Sequence, residues 1–210
     1  MNILITRPLI DSEDLMGKLF SLGHKIVHIP TLKISAANAS PVDAKKYDAF
    51  IFTSANAIRN LNLNNLDNSK ICFCVGSITE KIVRQKGYNN TISAGGTVNA
   101  LKNIILNSDQ IDKKKSIAYF CGDYISSNLD IELKNEGFQI DKIINYTSEK
   151  ITDLNEENNK IINNHPPDII FIYSKRSAES FIDIVKKYSL NGLMTESRVL
   201  CISEKVLSVF

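Results

Sequence analysis

The chain has 210 residues, of which 43% are hydrophobic and 23% are charged, and this composition is typical of a globular protein with one large or two small domains. The formal net charge is only +2 and the basic residues are scattered, so the composition does not favour binding to nucleic acid. No apolar run approaches the roughly 18 residues of a membrane span. Because the sequence begins directly with a predicted strand and has no signal-peptide pattern, we expect no membrane association and a cytoplasmic location.

Predicted strands and helices alternate along the whole chain. The strands are predicted at residues 2–6, 25–29, 47–53, 70–75, 90–93, 116–120, 138–144, 169–173 and 198–202. The helices are predicted from Asp11, after Ser54, after Gly76, at 97–106, around Leu129, at 151–164, at 178–188 and after Ser203. This alternation predicts an α/β protein with parallel sheets and helices on both faces.

One stretch combines a buried strand, a hydroxyl-rich turn and a helix. The apolar run at 50–52 stops at Thr53, and Ser54 is placed as the N-cap of the next helix. In a parallel sheet such a turn lies at the carboxyl edge, where helix N-termini favour anions. The alternative is that Ser54 only caps its helix.

The same pattern occurs twice. Asp48 and Ser54 align with Asp168 and Ser174 at an offset of 120, and the helix of Leu15 aligns with that of Leu129 at an offset of 114. A looser match relates the segment at Cys74 to that at Cys201. The sequence therefore contains two copies of one α/β unit, and such repetition decides the fold prediction.

Extended segments at equivalent points of the repeat suggest that the chain crosses between two lobes. We predict two Rossmann-like or flavodoxin-like parallel-sheet lobes joined by a two-stranded linker, with a cleft between them. Lobe 1 comprises residues 1–33 and 150–210, lobe 2 comprises 36–144, and the linkers lie at about 30–36 and 144–150.

The residues at the predicted strand ends are mainly hydrogen-bond donors, and the motifs of the common catalytic and nucleotide-binding sites are absent. These ends are Thr6-Arg7, Thr53-Ser54, Gly76-Ser77, Gly122-Asp123, Tyr173-Ser174 and Ser203. The sequence lacks a GxSxG elbow, a glycine-rich dinucleotide loop and a P-loop. The four cysteines fall in apolar strands and are expected to be buried, and no cluster with metal-ligand spacing is visible. We therefore expect a ligand with many carboxylates or phosphates, with Arg7 able to pair with a carboxylate.

Simpler interpretations stand beside three of these assignments. Arg7 is equally read as a surface arginine next to Pro8, and Thr79 as a residue in the first turn of its helix. Tyr146 is equally read as a half-buried tyrosine of the second linker whose hydroxyl is hydrated.

Several short motifs, in order and over nearly the whole chain, resemble the uroporphyrinogen-III synthase family. They are Ile3–Pro8, Phe52–Ile58, Val75–Thr79, Cys121–Asp123, Asn145–Thr147 and Ile172–Ser174. The resemblance implies two α/β lobes on a two-stranded linker, which agrees with the prediction from the repeat. It also implies the reaction: hydroxymethylbilane loses water, its ring D is inverted through a spiro intermediate, and the macrocycle closes as uroporphyrinogen III without metal or organic cofactor.

The resemblance also implies roles for individual residues. The tyrosine of the second linker matches Tyr146, which we expect to help the hydroxyl leave. The substrate carries eight carboxylates, and the residues expected to bind it are Arg7, Ser54, Asn56, Gly76, Thr79, Ser174, Lys175 and Ser203. The only partner expected is this small molecule, and we expect a monomer.

Two departures leave alternatives open. Val206 stands where many members carry a hydroxyl, and members usually continue for about one strand and one helix beyond the position of Phe210, so we expect lobe 1 to lack an edge element. One alternative is a hinge-type binding protein for an anionic small molecule. The other is a catalytically lapsed synthase-like domain that binds tetrapyrroles.

Overall fold

The computed structural model describes residues 1–64 and 67–210, in which strands and helices alternate. The strands are β1 (Asn2–Ile5), β2 (Lys25–His28), β3 (Leu32–Ala36), β4 (Val42–Asp43), β5 (Ala49–Phe52), β6 (Leu63–Asn64), β7 (Ile71–Cys74), β8 (Thr91–Ser93), β9 (Ser116–Gly122), β10 (Gln139–Lys150), β11 (Ile169–Ile172) and β12 (Arg198–Cys201). The helices are α1 (Leu9–Ser21), α2 (Ala55–Arg59), α3 (Ser77–Gln85), α4 (Val98–Leu106), α5 (Leu129–Asn135), α6 (Glu156–Asn164), α7 (Lys175–Lys187), α8 (Asn191–Met194) and α9 (Glu204–Leu207). The predicted α/β class with parallel sheets is confirmed.

The chain divides into two compact units. Unit 1 comprises Met1–Ile34 and Glu149–Phe210, and its sheet has the strand order β12-β11-β1-β2 with every neighbouring pair parallel. The buried face of α7, which includes Phe181 and Ile184, packs with Leu4 and Ile170 of the sheet in one hydrophobic core. Unit 1 therefore forms its core from segments at both ends of the chain.

Unit 2 comprises Ser35–Ser148. Its main sheet has the order β3-β10-β9-β5-β7-β8, and β4 and β6 form a separate two-stranded ladder. Residues alternate between the two faces of the sheet, so Ile51 joins the core beneath α4 and α5, whereas Phe50 packs against Phe120 with 5.6 Å between ring centroids. Both faces of the central strands are buried, as expected for a parallel sheet.

Strand register confirms the internal repeat. Ile3 pairs with Ile169 in unit 1, and the residues 114 positions later and 120 positions earlier, Ile117 and Ala49, pair with each other in unit 2. The third strand follows the same rule at an offset of 127, because Cys201 pairs with Ile172 and Cys74 pairs with Phe52. The two units thus share an arrangement of four strands, to which the unit 2 sheet adds β8 beside β7 and β3 beside β10.

Several predicted details are wrong at element boundaries. Helix α6 begins at Glu156, not at residue 151, because β10 continues to Lys150 and the side chain of Asn155 caps the helix. Helix α7 begins at Lys175, not at residue 178, because Ser174 caps it directly after the strand.

The cysteine prediction is confirmed for Cys72, Cys74 and Cys121, which are buried, while Cys201 is only partly covered. Within the described residues, no helix is both long enough and apolar enough to cross a membrane.

Candidate functional site

The turn after β5 places Ser54 at the carboxyl edge of the unit 2 sheet. Ser54 has an extended backbone, and its Oγ accepts a hydrogen bond of 3.1 Å from the backbone N–H of Asn56, so it caps α2 as the capping interpretation requires. Asn56 itself accepts a bond of 3.1 Å from Arg59 Nη1 through its Oδ1. Capping and ligand binding are compatible, since the hydroxyl retains its own proton to donate.

Tyr146 lies on β10 and is 9% exposed, so it is buried and not half-buried. Its ring covers Gly122 on the neighbouring strand β9. A Cβ atom built on Gly122 would lie 2.7 Å from both Cε2 and Cζ of Tyr146 and 3.0 Å from its hydroxyl oxygen. Burial raises the pKa of Tyr146, and hydrogen bonding to Ser54 and to the Gly122 backbone opposes that rise. The phenol therefore keeps its proton at neutral pH and can donate it.

A second pair of hydroxyls lies at the same strand ends. Thr53 Oγ1 and the Tyr119 hydroxyl are 3.0 Å apart, and Tyr119 is 2% exposed. Burial is the main cause of a raised pKa at Tyr119. The sequence analysis missed Tyr119 because it lies inside a strand and reads as a core residue; only the pairing of β9 with β5 brings it next to Thr53.

The segment around Tyr146 is attached to the β9 corner by main-chain contacts. The backbone N–H of Asp123 donates to the Tyr146 carbonyl at 3.1 Å, and Asp123 Oδ1 accepts from the backbone N–H of Ser148 at 3.0 Å. One residue before Tyr146, Asn145 Nδ2 donates to the Ala57 carbonyl on α2 at 2.6 Å. The β9 corner and α2 together hold residues 145–148.

Gly76 and Thr79 belong to the next strand–helix corner of unit 2. Gly76 is the N-cap of α3, and a Cβ atom there would lie 3.2 Å from Gly96 Cα, so the glycine allows two backbone segments to approach closely. Thr79 is 4% exposed on the first turn of α3. The structure thus places Gly76 at the strand end and Thr79 on the buried side of its helix.

In unit 1, Arg7 follows β1 and stacks over an aromatic ring. Its guanidinium carbon is 4.8 Å from the centroid of Tyr173, and its Nη2 is 3.9 Å from Asp11 Oδ2. The Arg7 side chain is 29% exposed, and its carbonyl oxygen is 2.7 Å from His28 Nε2. A guanidinium that lies over a tyrosine ring and is partly open to solvent is suited to bind a carboxylate. The sequence placed Tyr173 at a strand end but indicated no role for it.

The other predicted residues of unit 1 lie at two helix N-termini. Ser174 caps α7, accepting 3.0 Å from the Ser177 backbone N–H, and the exposed Lys175 is the first residue of that helix. Ser203 is the exposed N-cap residue of α9, and its side chain makes no capping bond. Val206, which replaces a hydroxyl of the family pattern, is 4% exposed and packs in the unit 1 core.

The structure therefore brings Ser54 and Tyr146 together in unit 2 and joins Arg7 to Tyr173 in unit 1. Among residues 1–64 and 67–210, no group of three or more histidine, cysteine, aspartate or glutamate side chains is arranged to hold a metal ion.

The chain is of the parallel α/β class, in which ligands commonly bind at the carboxyl ends of the strands and helix N-termini there suit anions. A family model described as uroporphyrinogen-III synthase HemD matches residues 13–209. The chain belongs to this family, whose members are cyclising lyases of haem biosynthesis.

Two solved structures share the fold. One is a triple mutant of uroporphyrinogen III synthase from the extremely thermophilic bacterium Thermus thermophilus, which is 13% identical with a TM-score of 0.61. The match covers 100% of this chain and 88% of that protein's chain. The other is uroporphyrinogen-III synthetase from Helicobacter pylori 26695, which is 17% identical with a TM-score of 0.60. The match covers 98% of this chain and 85% of that protein's chain. A search of curated proteins finds no match.

Proposed function

We propose that this chain cyclises hydroxymethylbilane to uroporphyrinogen III with loss of water, and that Tyr146 is its catalytic residue. Membership of the family supports the reaction. The observation that supports the role of Tyr146 is its buried phenol, held over Gly122 and hydrogen-bonded to Ser54.

The proposed chemistry begins at the hydroxymethyl group of the substrate. Its C–O bond breaks as the Tyr146 O–H donates a proton, so the hydroxyl leaves as water and an azafulvene cation remains. A substituted carbon of ring D attacks this cation to form the spiro intermediate. The bond between that carbon and the methylene bridge to ring C then breaks, and the free α carbon of ring D bonds to the same methylene, which inverts the ring and closes the macrocycle. The α carbon loses its proton, which returns to the Tyr146 oxygen, so that one water is the only net loss.

The rest of the site positions the substrate. The uncatalysed closure gives the isomer without ring inversion, so the protein must hold ring D turned over. We propose that Arg7, stacked on Tyr173, binds one carboxylate in unit 1 with Ser174, Lys175 and Ser203. Ser54, Asn56, Gly76 and Thr79 contribute donors from unit 2.

We further propose that the units act as two lobes joined by linkers at about 30–36 and 144–150. The division of the chain into units 1–34 with 149–210 and 35–148 supports this proposal, as does the presence of β3 and β10 as neighbours in one sheet. The monomeric state and the cytoplasmic location stay predictions.

The test supplies fresh hydroxymethylbilane to the purified protein, oxidises the products and separates the isomers by chromatography. We expect mainly isomer III, and Tyr146→Phe should lower its rate of formation by about 100-fold or more, the usual effect of losing a general acid. Tyr47→Phe is the matched control. The Tyr47 hydroxyl donates to Asp141 at 2.9 Å, and Tyr47 precedes β5, whereas Ser54 follows that strand.

Alanine substitutions at Ser54, Thr79 and Ser174 should raise KM more than they lower kcat. Full turnover by Tyr146→Phe would remove the catalytic role of that residue. Formation of isomer I alone, at the rate without protein, would instead indicate a binding protein.

A further inference from the structure

We infer that Gly122 and Asp123 are positioning residues that hold the Tyr146 hydroxyl at the site of water loss. The inference rests on the proposed function and deepens it, because it states what fixes the proton donor. Neither residue was assigned a role by the family resemblance beyond being part of a motif.

Gly122 is required for space. A Cβ atom on residue 122 would lie 2.7 Å from two ring carbons of Tyr146, which is shorter than real Cβ contacts. Tyr146 is 9% exposed, so its ring has little free volume into which it can move. An alanine at this position must therefore push the phenol away from Ser54 or displace the strand.

The strand ladder alone does not fix Tyr146. The regular register of β10 with β9 is interrupted between Ile144 and Tyr146, where a bulge brings Tyr146 opposite Gly122. Bulges leave a residue outside the regular ladder and redirect its side chain. Additional contacts are therefore needed to hold the ring in one orientation.

Asp123 supplies these contacts. Its backbone N–H bonds the Tyr146 carbonyl at 3.1 Å, and its Oδ1 accepts the Ser148 N–H at 3.0 Å, so one residue restrains the backbone at Tyr146 and two positions later. The Asp123 side chain is exposed, so its replacement removes a restraint without opening the core. Gly122 leaves the space that the Tyr146 ring occupies, and Asp123 restrains the backbone at Tyr146 and at Ser148.

The first experiment is a double-mutant cycle of Gly122→Ala and Tyr146→Phe, read as kcat and KM for isomer III. Gly122→Ala should lower kcat by about 10- to 100-fold, the effect of misplacing a group by about 1 Å, and change KM by less than about twofold. In the Tyr146→Phe background it should lower kcat no further. An equal loss in both backgrounds overturns the inference, as does full activity of Gly122→Ala. Gly17→Ala, where a Cβ meets nothing within 4 Å, is the matched control.

The second experiment compares two exposed substitutions and does not depend on whether Gly122→Ala folds. Asp123→Ala should lower kcat, and Asp123→Asn, which keeps an oxygen to accept the Ser148 N–H, should restore most of it. If Asn is as poor as Ala, the carboxylate acts through its charge, and the positioning role is wrong.

A third readout needs no turnover. The ultraviolet absorbance of tyrosinate, taken as the difference from Tyr146→Phe, follows ionisation of Tyr146 alone. Gly122→Ala and Asp123→Ala should shift this ionisation, because a displaced ring is better hydrated and loses its hydrogen bonds to Ser54 and to the Gly122 backbone. An unchanged titration overturns the inference. If the wild type makes only isomer I while the titration shifts as expected, the proposed function is wrong. The positioning of Tyr146 by Gly122 and Asp123 would still be supported.

Discussion

Ser180→Ala should destabilise unit 1 although it removes a single oxygen atom. Ser180 lies on α7 and is fully buried, and its Oγ is 2.8 Å from the carbonyl oxygens of both Thr31 and Ile151. Those two residues also bond each other, from the Ile151 N–H to the Thr31 carbonyl at 2.9 Å. Ser180 therefore joins two segments that are 120 residues apart in sequence to one helix.

The magnitude follows from the groups left behind. The one Ser180 hydroxyl proton is shared between two carbonyl oxygens, and the Thr31 carbonyl keeps the Ile151 N–H, so the loss is that of one buried acceptor left short of a donor, about 1–3 kcal/mol. Alanine returns about 0.5 kcal/mol through its higher helix propensity. We expect the free energy of unfolding to fall by about 1.5 kcal/mol, which lowers Tm by about 3–6 °C for a chain of this size.

Urea and thermal unfolding followed by circular dichroism measure this change, with Ser12→Ala as the control. Ser12 is equally buried at 1% exposure, but its Oγ bonds only nearby carbonyl oxygens at the start of its own helix, Pro8 at 3.1 Å and Leu9 at 3.4 Å. Ser12→Ala should change stability by less than about 0.5 kcal/mol, because the Pro8 carbonyl keeps the Asp11 N–H and a serine that bonds back to its own helix adds little stability. If Ser180→Ala costs no more than the control, the two carbonyl contacts carry no net energy and the reasoning is refuted.

Two further predictions concern the Arg7 stack and alkaline pH. Tyr173→Leu should raise KM about 2- to 5-fold, because a cation–π contact contributes about 0.5–1 kcal/mol, whereas Tyr173→Phe should keep the wild-type KM; steady-state kinetics on both variants decide, and equal KM values would contradict the role of the ring. Burial raises the pKa of Cys74 to about 12 and that of Cys121 to about 11, so above about pH 9 the unfolded state loses protons that the folded state keeps. The free energy of unfolding should then fall as pH rises, by about 1.4 kcal/mol per pH unit for each thiol until its folded pKa is passed. Urea titrations at several alkaline pH values with reductant measure this slope, and Cys121→Ala, which should flatten it, tests the assignment.

The internal repeat in the sequence correctly predicted that the two units share one strand arrangement. The offsets of 114 and 120 align the two copies in the sequence. The same offsets convert the strand pair Ile3 and Ile169 of unit 1 into the strand pair Ile117 and Ala49 of unit 2. The agreement is physical, because two copies with the same pattern of buried positions must pair their strands in the same register to bury them.

The repeat also explains a contact that neither copy reveals alone. Thr31 Oγ1 lies 2.6 Å from Ser177 Oγ, and the equivalent residues Asn145 and Ala57 are joined by a bond of 2.6 Å in unit 2. The side chains differ, yet the same two positions meet in each copy. The sequence alignment could identify equivalent positions, but it could not show that they touch.

Local chemistry determined what the sequence could predict by itself. Strand and helix periodicity, the Ser54 cap and the order of the elements depend on neighbours within a few residues, and the sequence alone indicated them. The resemblance to a family added Tyr146 as a candidate. Only the tertiary structure decided that Gly122 lies under this tyrosine, that Tyr119 meets Thr53 and that Ser180 holds two distant carbonyls. These contacts depend on strand register and on one bulge, and a shift of a single residue in either would turn the same side chains away from each other.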